Sequence, residues 1–321
     1  MSNRPIFLFT VLLTSLALPL STHAQVLYGS LTGEVTDKSG GAVPNAKLEA
    51  VNNSTGVSKR ATTDDRGAYL IQDMQAGTYK LTISATGFAT EVQTGVQISE
   101  NTVRRADVQL QVAANVGQSV TVAADAVALQ TERADVNTQV TTQEVADLPM
   151  TGTSGTRDFE SILVTVPGFS PPASDHSTAT NPTMSDAFQV NGSSITGNNM
   201  KLDGASDIYP WQPEIAAYIP PAEAIQTVNV VTNSFDAEQG MAAGSAINAI
   251  IKSGTNQFHG AAWEYNTDSA LKARNFFYYG TNNPKNILNQ FGLDLGGPIK
   301  KNKLFFFVDW ERTLQSLLDI T

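Results

Sequence analysis

Cysteine is absent from the 321-residue sequence, which excludes disulfide frameworks, thiolate metal sites and cysteine nucleophiles. Histidine is scarce, because only His23, His176 and His259 are present, and no two of them have the spacing of a metal-binding pair. Basic residues are outnumbered, with 20 Lys and Arg against 30 Asp and Glu and a net charge of -10. Such a chain repels phosphate backbones, so we expect no nucleic-acid partner.

Long apolar runs are missing after residue 24, and no later run reaches the roughly 18 residues of a transmembrane helix. Residues 1–24 are typical of a secretory signal, with a positive Arg4, an apolar run over residues 6–20 and small residues before Gln25. We expect cleavage there, which leaves 297 residues (321 − 24). The other interpretation of the apolar run is a buried core helix.

Catalytic motifs are missing as well. The sequence contains no G-x-S-x-G elbow, no phosphate-binding loop and no H-E-x-x-H pair. Acid pairs such as Asp64 and Asp65 fall in predicted turns, where carboxylates form turns far more often than they bind calcium. We therefore predict no catalytic residues, no metal and no cofactor, and a protein that is not an enzyme.

Short alternating runs separated by turn residues fill the first part of the exported chain. In Thr78–Ala85, for example, Tyr79, Leu81 and Ile83 share one face. About seven short strands with turns every 8–12 residues predict a small β-sandwich over residues 25–115. The overall fold class predicted is mainly β.

This stretch also resembles a known family. The blocks TTDDRGAYLI (Thr62–Ile71) and AGTYKLTISATGF (Ala76–Phe88) are similar to the carboxypeptidase regulatory-like, transthyretin-type domain. The resemblance implies a transthyretin-like β-sandwich that carries no peptidase chemistry.

The middle of the chain changes character. Residues 116–136 contain no aromatic residue and are interpreted as a linker. A short helix is predicted at Thr141–Leu148, with Thr142 as its N-cap and Pro149 as its stop. Further on, prolines and glycines separate short strands, and residues 137–255 are predicted to form an α+β unit.

Residues 256–321 hold 12 of the 25 aromatic residues, and two runs there alternate between apolar residues and small or polar ones. The apolar rows are Phe291, Leu293 and Leu295 in the first run and Leu304, Phe306, Val308 and Trp310 in the second. This two-residue period is typical of membrane β-barrel strands, which are apolar toward lipid and polar toward the lumen. We expect Trp263, Tyr265 and Trp310 to lie in an aromatic girdle. A soluble β-sandwich with surface aromatics is the other interpretation.

The connections between these runs are also informative. A long connection follows His259–Tyr265, whereas a short turn is predicted at Gly296–Lys303. Alternation of long external loops with short periplasmic turns is a feature of outer-membrane barrels.

Taken in order, the blocks of the second half resemble the TonB-dependent outer-membrane receptor family, in its Oar-like subgroup. The blocks are QVNG (Gln189–Gly192), KLDGASD (Lys201–Asp207), Glu223–Tyr265, Ala270–Phe277 and Asn289–Glu311. The resemblance implies a plug domain at residues 137–255 and the first strands of an outer-membrane β-barrel at residues 256–321. A family barrel has about 22 strands, so we expect this incomplete barrel to be an N-terminal fragment or a truncated gene product.

The resemblance also implies a function: energised import of a large or scarce substrate across the outer membrane. Its implied partners are TonB in the periplasm, outer-membrane lipid and an imported ligand, which is a carbohydrate, a siderophore or a peptide. A secreted adhesin or carbohydrate-binding β-sandwich protein without transport remains an alternative, as does a secreted hydrolase with a regulatory-like appendage.

Two sets of site residues follow from the resemblance. TonB contacts a short extended segment ahead of the plug, and the candidate here is Gln118, Ser119, Val120, Thr121 and Val122. An ordinary strand paired within the chain is the alternative. The ligand candidates are Tyr209, Trp211 and Tyr218, which lie in a predicted plug loop where exposed aromatics stack on sugars or chelates. Their alternative role is to pack the plug against the barrel wall.

Overall fold

The computed structural model describes residues 28–100, 102–113, 119–123, 134–148, 156–178, 181–273, 276–277 and 283–317. The predicted export signal and Gln118 lie outside these residues. Within the described ranges, no helix combines the length and the apolar character needed to cross a bilayer. The architecture is mainly β, as predicted from the sequence.

Two sheets enclose one apolar core in the N-terminal region. The first sheet contains β1 (Gly29–Asp37), β4 (Ala68–Met74), β7 (Val103–Arg105) and β8 (Val108–Leu110). The second contains β2 (Lys47–Asn52), β3 (Ser58–Thr62), β5 (Gly77–Ser84), β6 (Thr90–Ile98) and β9 (Ser119–Ala123), in the order β3-β2-β5-β6-β9. The predicted row of Tyr79, Leu81 and Ile83 is buried in this core. Each such side chain contributes roughly 1.5–3 kcal/mol by leaving water.

The carboxylate of Asp64 closes a turn in this region. Its Oδ1 accepts hydrogen bonds from the backbone N–H groups of Arg66 at 2.9 Å and Ala68 at 2.8 Å. These bonds, the one from Ala68 foremost, hold the pKa of Asp64 below its usual value. The turn role predicted for this acid is confirmed.

A five-stranded sheet, which we call the central sheet, organises residues 134–255. It contains β10 (Val136–Thr141), β13 (Asn198–Leu202), β14 (Ala205–Ser206), β17 (Ile225–Asn233) and β18 (Ser245–Ile251), in the order β10-β17-β18-β13-β14. Two hairpins flank it: β11 (Ser174–Thr178) with β12 (Asn181–Ala187), and β15 (Ile208–Tyr209) with β16 (Gln212–Ala216). Single-turn 3-10 helices lie at Ile195–Gly197, Ala222–Ala224, Ala237–Gln239 and Ser269–Leu271.

The two faces of the central sheet differ in chemistry. One face packs Val140, Val228 and Ala249 against Phe159 and Leu163, the latter in the 3-10 helix Glu160–Thr165. On the other face one row crosses four strands: the register places Gln139 beside Asn229, Asn229 beside Asn248, and Asn248 beside Lys201. One side of this sheet is therefore apolar, and the other carries a polar row among apolar residues such as Val231 and Ile250.

The single α-helix of the described residues, α1 (Thr142–Asp147), lies within the predicted range Thr141–Leu148. Its N-cap is Thr141, and the expectation that Thr142 caps it is wrong. Glu144 stands three residues after Thr141, and its carboxylate accepts from the Thr141 backbone N–H at 2.7 Å. The reciprocal bond from Glu144 N to Thr141 Oγ1 completes a capping box, which fixes the helix start.

Three long antiparallel strands form the C-terminal sheet: β19 (His259–Asp268), β20 (Asn286–Lys300) and β21 (Leu304–Leu317). Leu293, Leu295, Val308 and Trp310 lie on one face and are 47–57% exposed, whereas Gln290 and Asp294 on the other face are at most 6% exposed. The predicted alternation is confirmed. The turn is shorter than the predicted Gly296–Lys303. Residues up to Lys300 belong to β20, which pairs with β21, so only residues 301–303 connect the two strands.

Candidate functional site

The buried face of the C-terminal sheet contacts the central region through Arg157. The side-chain amide of Gln290 on β20 pairs with both backbone groups of this residue: Arg157 N donates to Oε1 at 2.8 Å, and Nε2 donates to Arg157 O at 2.8 Å. Gln290 is fully buried. Because buried polar groups must be paired, this amide fixes the backbone of residue 157 against β20.

The Arg157 side chain forms a buried ion pair with Glu223, which stands in the 3-10 turn before β17. Its Nε lies 2.8 Å from Glu223 Oε1, and the two side chains are 12% and 14% exposed. Its Nη2 donates to the carbonyl of Val145 in α1 at 2.7 Å. Removing one partner of a buried pair leaves an uncompensated charge, so this contact is costly to break from one side.

Tyr265 on β19 completes the contact from the C-terminal sheet. Its hydroxyl donates to Glu223 Oε1 at 2.6 Å, and the Arg157 guanidinium carbon stands 4.9 Å from the centre of its ring. One carboxylate oxygen thus receives donors from both sides of the interface. The cation above the ring adds an attraction of about 0.5–2 kcal/mol.

Trp263 belongs to the same interface. Its Nε1 donates to Glu311 Oε2 on β21 at 3.2 Å, and Glu311 Oε1 accepts from Gln290 at 3.0 Å. The expectation that Trp263 and Tyr265 stand in an outer aromatic girdle is therefore wrong, whereas Trp310 does lie on the exposed face. The register explains the difference, because Trp263 pairs with Gly292 and Tyr265 with Gln290, both on the buried face.

A second ion pair links the two regions near the start of β19. Lys252 Nζ lies 3.6 Å from Asp294 Oδ2, whose side chain is 3% exposed. Asp294 Oδ1 also accepts from the backbone of Ala261 at 2.6 Å. The interface is therefore polar along the buried face of β20.

Two buried carboxyls, Asp158 and Glu160, follow Arg157 closely in the sequence. Glu160 is fully buried and accepts from Ser185 Oγ at 3.0 Å and from Asp186 N at 2.7 Å. Burial, followed by the charge of Asp158, raises the pKa of Glu160 well above its usual value. Burial also raises the pKa of Asp158 to about 7. Burial therefore favours the protonated form of both carboxyls, and no sequence motif distinguished them from surface acids.

The predicted ligand residues differ in their exposure. Trp211 stands at the tip of the β15–β16 hairpin and is 86% exposed, Tyr218 is 44% exposed, and Tyr209 is half-buried. Burial and then the charges of Asp309 and Glu311 raise the pKa of Tyr218, which places this residue near the buried face of the C-terminal sheet. The ligand assignment stays a prediction.

The predicted TonB segment is a strand within this chain. Ser119, Val120, Thr121 and Val122 lie in β9, which pairs in parallel with β6, for example Thr121 with Val92. This is the pairing that the alternative interpretation expected. β9 is the last strand of its sheet in the described part of the chain, so its outer edge faces no other strand there. The TonB assignment also stays a prediction.

Two family models match the chain. Residues 30–111 match a carboxypeptidase regulatory-like domain, and residues 250–319 match an outer membrane beta barrel domain. Over 256 residues the sequence is 28% identical to the TonB-dependent transporter Oar of Myxococcus xanthus. This alignment covers 76% of this chain and 23% of the length of that relative. The chain is similar to TonB-dependent transporters. The resemblance of its sequence blocks to this family is thereby confirmed.

The chain spans 23% of the length of the Oar transporter that it matches. Among solved structures, it is similar to the siderophore receptor PirA from Acinetobacter baumannii, with 18% identity, a TM-score of 0.41 and coverage of 55% of this chain and 24% of that one. It is also similar to the outer membrane transporter YddB from Escherichia coli, with 18% identity and a TM-score of 0.44. That match covers 56% of this chain and 26% of the YddB chain.

Proposed function

We propose that the protein is a TonB-dependent receptor of the outer membrane that binds and imports a large or scarce substrate. The single observation that carries this proposal is the two-faced C-terminal sheet. Its exposed face presents Leu293, Leu295, Val308 and Trp310, while its buried face holds the central region through Arg157 and Glu223. Strands with this alternation suit a barrel wall between lipid and a filled lumen.

In this proposal the central region is the plug. Its contacts to the C-terminal sheet are hydrogen bonds and ion pairs, which water can replace when the plug moves. A wholly apolar interface would resist such rehydration. A polar interface with the C-terminal sheet therefore suits a plug domain that blocks the barrel lumen at rest and opens a path when force is applied.

Energy coupling is assigned to the segment from Gln118 to Val122. The outer edge of β9 faces no other strand in the described part of the chain, and Val122 is 43% exposed. A strand of TonB can add to this edge through main-chain hydrogen bonds. This contact uses the backbone, so it tolerates changes of side chain that preserve the strand.

Ligand contact is assigned to the exposed side of the plug. Trp211, at 86% exposure, is the most accessible of the three candidate aromatics and stands on a tight hairpin. Tyr218 and Tyr209 lie along the same hairpin region and are less exposed. A carbohydrate, a siderophore or a peptide is the proposed ligand, because each offers a flat or polar surface for stacking and hydrogen bonding.

The test uses Val120→Pro and Val120→Thr in the full-length protein. Proline removes the backbone donor and blocks strand addition, whereas threonine keeps both the donor and the β-branched shape. We expect both variants to fractionate with the outer membrane, and only Val120→Pro to lose co-purification with the periplasmic domain of TonB. Recovery of the protein in the soluble periplasm would favour the adhesin instead. Normal TonB binding by Val120→Pro would contradict the assignment of residues 118–122 and would mean that TonB contacts another segment.

A further inference from the structure

The N-terminal region touches the polar face of the central sheet at one corner, Ser99–Glu100, directly after β6. Ser99 Oγ donates to Gln139 Oε1 at 3.0 Å. Thr227 Oγ1 donates to Glu100 Oε2 at 3.2 Å, and Asn229 Nδ2 donates to the Glu100 carbonyl at 2.9 Å. Glu100 is 5% exposed, although it lies just beyond the end of β6. Burial raises the pKa of this carboxyl, as shielding by the facing sheet requires.

The second contact of the N-terminal region lies at its β2–β3 turn. The backbone N–H of Asn256 donates to the carbonyl of Ser54 at 3.0 Å, just before β19. Between this contact and the Ser99–Glu100 corner lies a cavity of about 700 Å³, lined by Glu100, Gln226, Ile250, Lys252 and His259 among others. The N-terminal region is thus held by polar contacts at the rim of a cavity, an arrangement that opens more readily than a close-packed apolar interface.

The polar face beneath the corner is incompletely paired. Asn229 Oδ1 and Asn248 Nδ2 are buried and have no hydrogen-bond partner among the described residues. Unpaired buried polar atoms are stabilised when water reaches them. This face of the central sheet is therefore the one that gains most from exposure, whereas the opposite face is closed by the apolar core around Val228 and Phe159.

The same corner is connected to the segment proposed to bind TonB. Ser119–Ala123 pairs residue by residue with Thr90–Thr94 of β6, and β6 continues through Ile98 into Ser99 and Glu100. We infer that the Ser99–Glu100 corner is the coupling contact between the N-terminal region and the plug, so that force applied to β9 passes along β6 and lifts this corner from Gln139, Thr227 and Asn229. This inference rests on the proposed function for the source of the force. The contact itself is independent of it.

Glu100 is in this view a positioning residue. It holds the N-terminal region over the cavity at rest, and its release exposes the polar face of the plug. Ile250 is a suitable reporter, since it is 8% exposed, lines the cavity and belongs to the same face as Thr227, its register partner. These 321 residues contain no cysteine, so Ile250→Cys introduces the single thiol of this part of the protein.

The experiment measures maleimide labelling of Ile250→Cys in the full-length protein, first purified in detergent and then in cells with and without a proton uncoupler. In the purified protein, Glu100→Ala is expected to raise the labelling rate roughly tenfold, since one lost hydrogen bond to a charged group shifts an opening equilibrium by about that factor. Thr227→Val removes the donor from the other side and is expected to act in the same direction. Glu49→Ala, which removes an exposed carboxylate paired with Arg60, is the matched control and leaves the rate unchanged.

In cells, the reporter with an intact corner is expected to label faster when the membrane is energised, and Glu100→Ala is expected to label fast in both states. Unchanged labelling of the purified protein by both Glu100→Ala and Thr227→Val would overturn the contact. Labelling that responds to these variants but never to energy or TonB would leave the contact intact and contradict the coupling role. Loss of TonB binding by every form of the protein would instead count against the proposed function.

Discussion

Neutralising Asp158 should reduce the loss of stability that the central region suffers as the pH rises, and the buried neighbour Glu160 contributes to the rest of that loss. The pKa of this carboxyl is raised from 3.8 to about 7 by burial, a shift of about three units. At about 1.36 kcal/mol per unit, the folded state loses about 4 kcal/mol from this group between pH 4 and pH 7. The sign follows from proton binding: in this window the folded state keeps the proton, whereas the unfolded state releases it. Stability therefore falls with rising pH until the folded pKa is passed.

The variant Asp158→Asn carries no charge and retains an oxygen to accept the 2.9 Å bond from Ser161 N. A reporter cysteine at Ala187, which is fully buried beside Asp186, would measure opening in urea with a pyridyl disulfide that reacts at both pH 5 and pH 8. We expect the urea midpoint to drop from pH 5 to pH 8 in the parent, and to drop less in Asp158→Asn, which retains only the contribution of Glu160 and the other raised acids. Asp147→Asn, an exposed acid in α1, is the control. Equal drops in the parent and in Asp158→Asn would refute the reasoning.

Two further predictions concern the interface and the ligand site. Arg157→Ala should destabilise the contact of the central region with the C-terminal sheet by roughly 3–5 kcal/mol, because it leaves the Glu223 carboxylate buried without its cation. Replacing both partners, as Arg157→Met with Glu223→Leu, should restore most of this loss in a urea titration of the full-length protein, and an equal loss in both proteins would count against a buried pair. Trp211→Ala should leave the midpoint of that titration within about 0.5 kcal/mol of the parent, since its side chain is 86% exposed, and should abolish ligand binding. Normal ligand binding would remove Trp211 from the site.

The C-terminal sheet was predictable from sequence because its signal is local. A strand that faces two different environments alternates with period two, and the rows of Leu293 and Leu295 and of Val308 and Trp310 repeat that pattern in neighbouring residues. The residues that define these strands stand side by side in the chain.

The polar interface was not predictable for the opposite reason. Arg157 meets Glu223 across 66 positions and Gln290 across 133, and an Arg, a Glu and a Gln separated by such distances have no pattern of their own. The two-residue alternation also separates the two faces of a strand, but it does not give the register between strands. It therefore does not say which residues of the neighbouring strand lie on the same face. Trp263 and Tyr265 were therefore placed in an outer girdle, although their register with Gly292 and Gln290 turns them inward.

The central claim is that one face of the C-terminal sheet contacts lipid while the other seats the plug. The most direct test is fluorescence quenching by nitroxide lipids at single cysteine-linked probes in membranes that contain the full-length protein. Probes at Leu293 and Leu295, which are 49% and 47% exposed, should be strongly quenched. Probes at Leu288, which is 3% exposed, and at Thr313, the register partner of Gln290, should be quenched weakly. Equal quenching at all four positions, or quenching of the outer pair by aqueous iodide alone, would contradict the account.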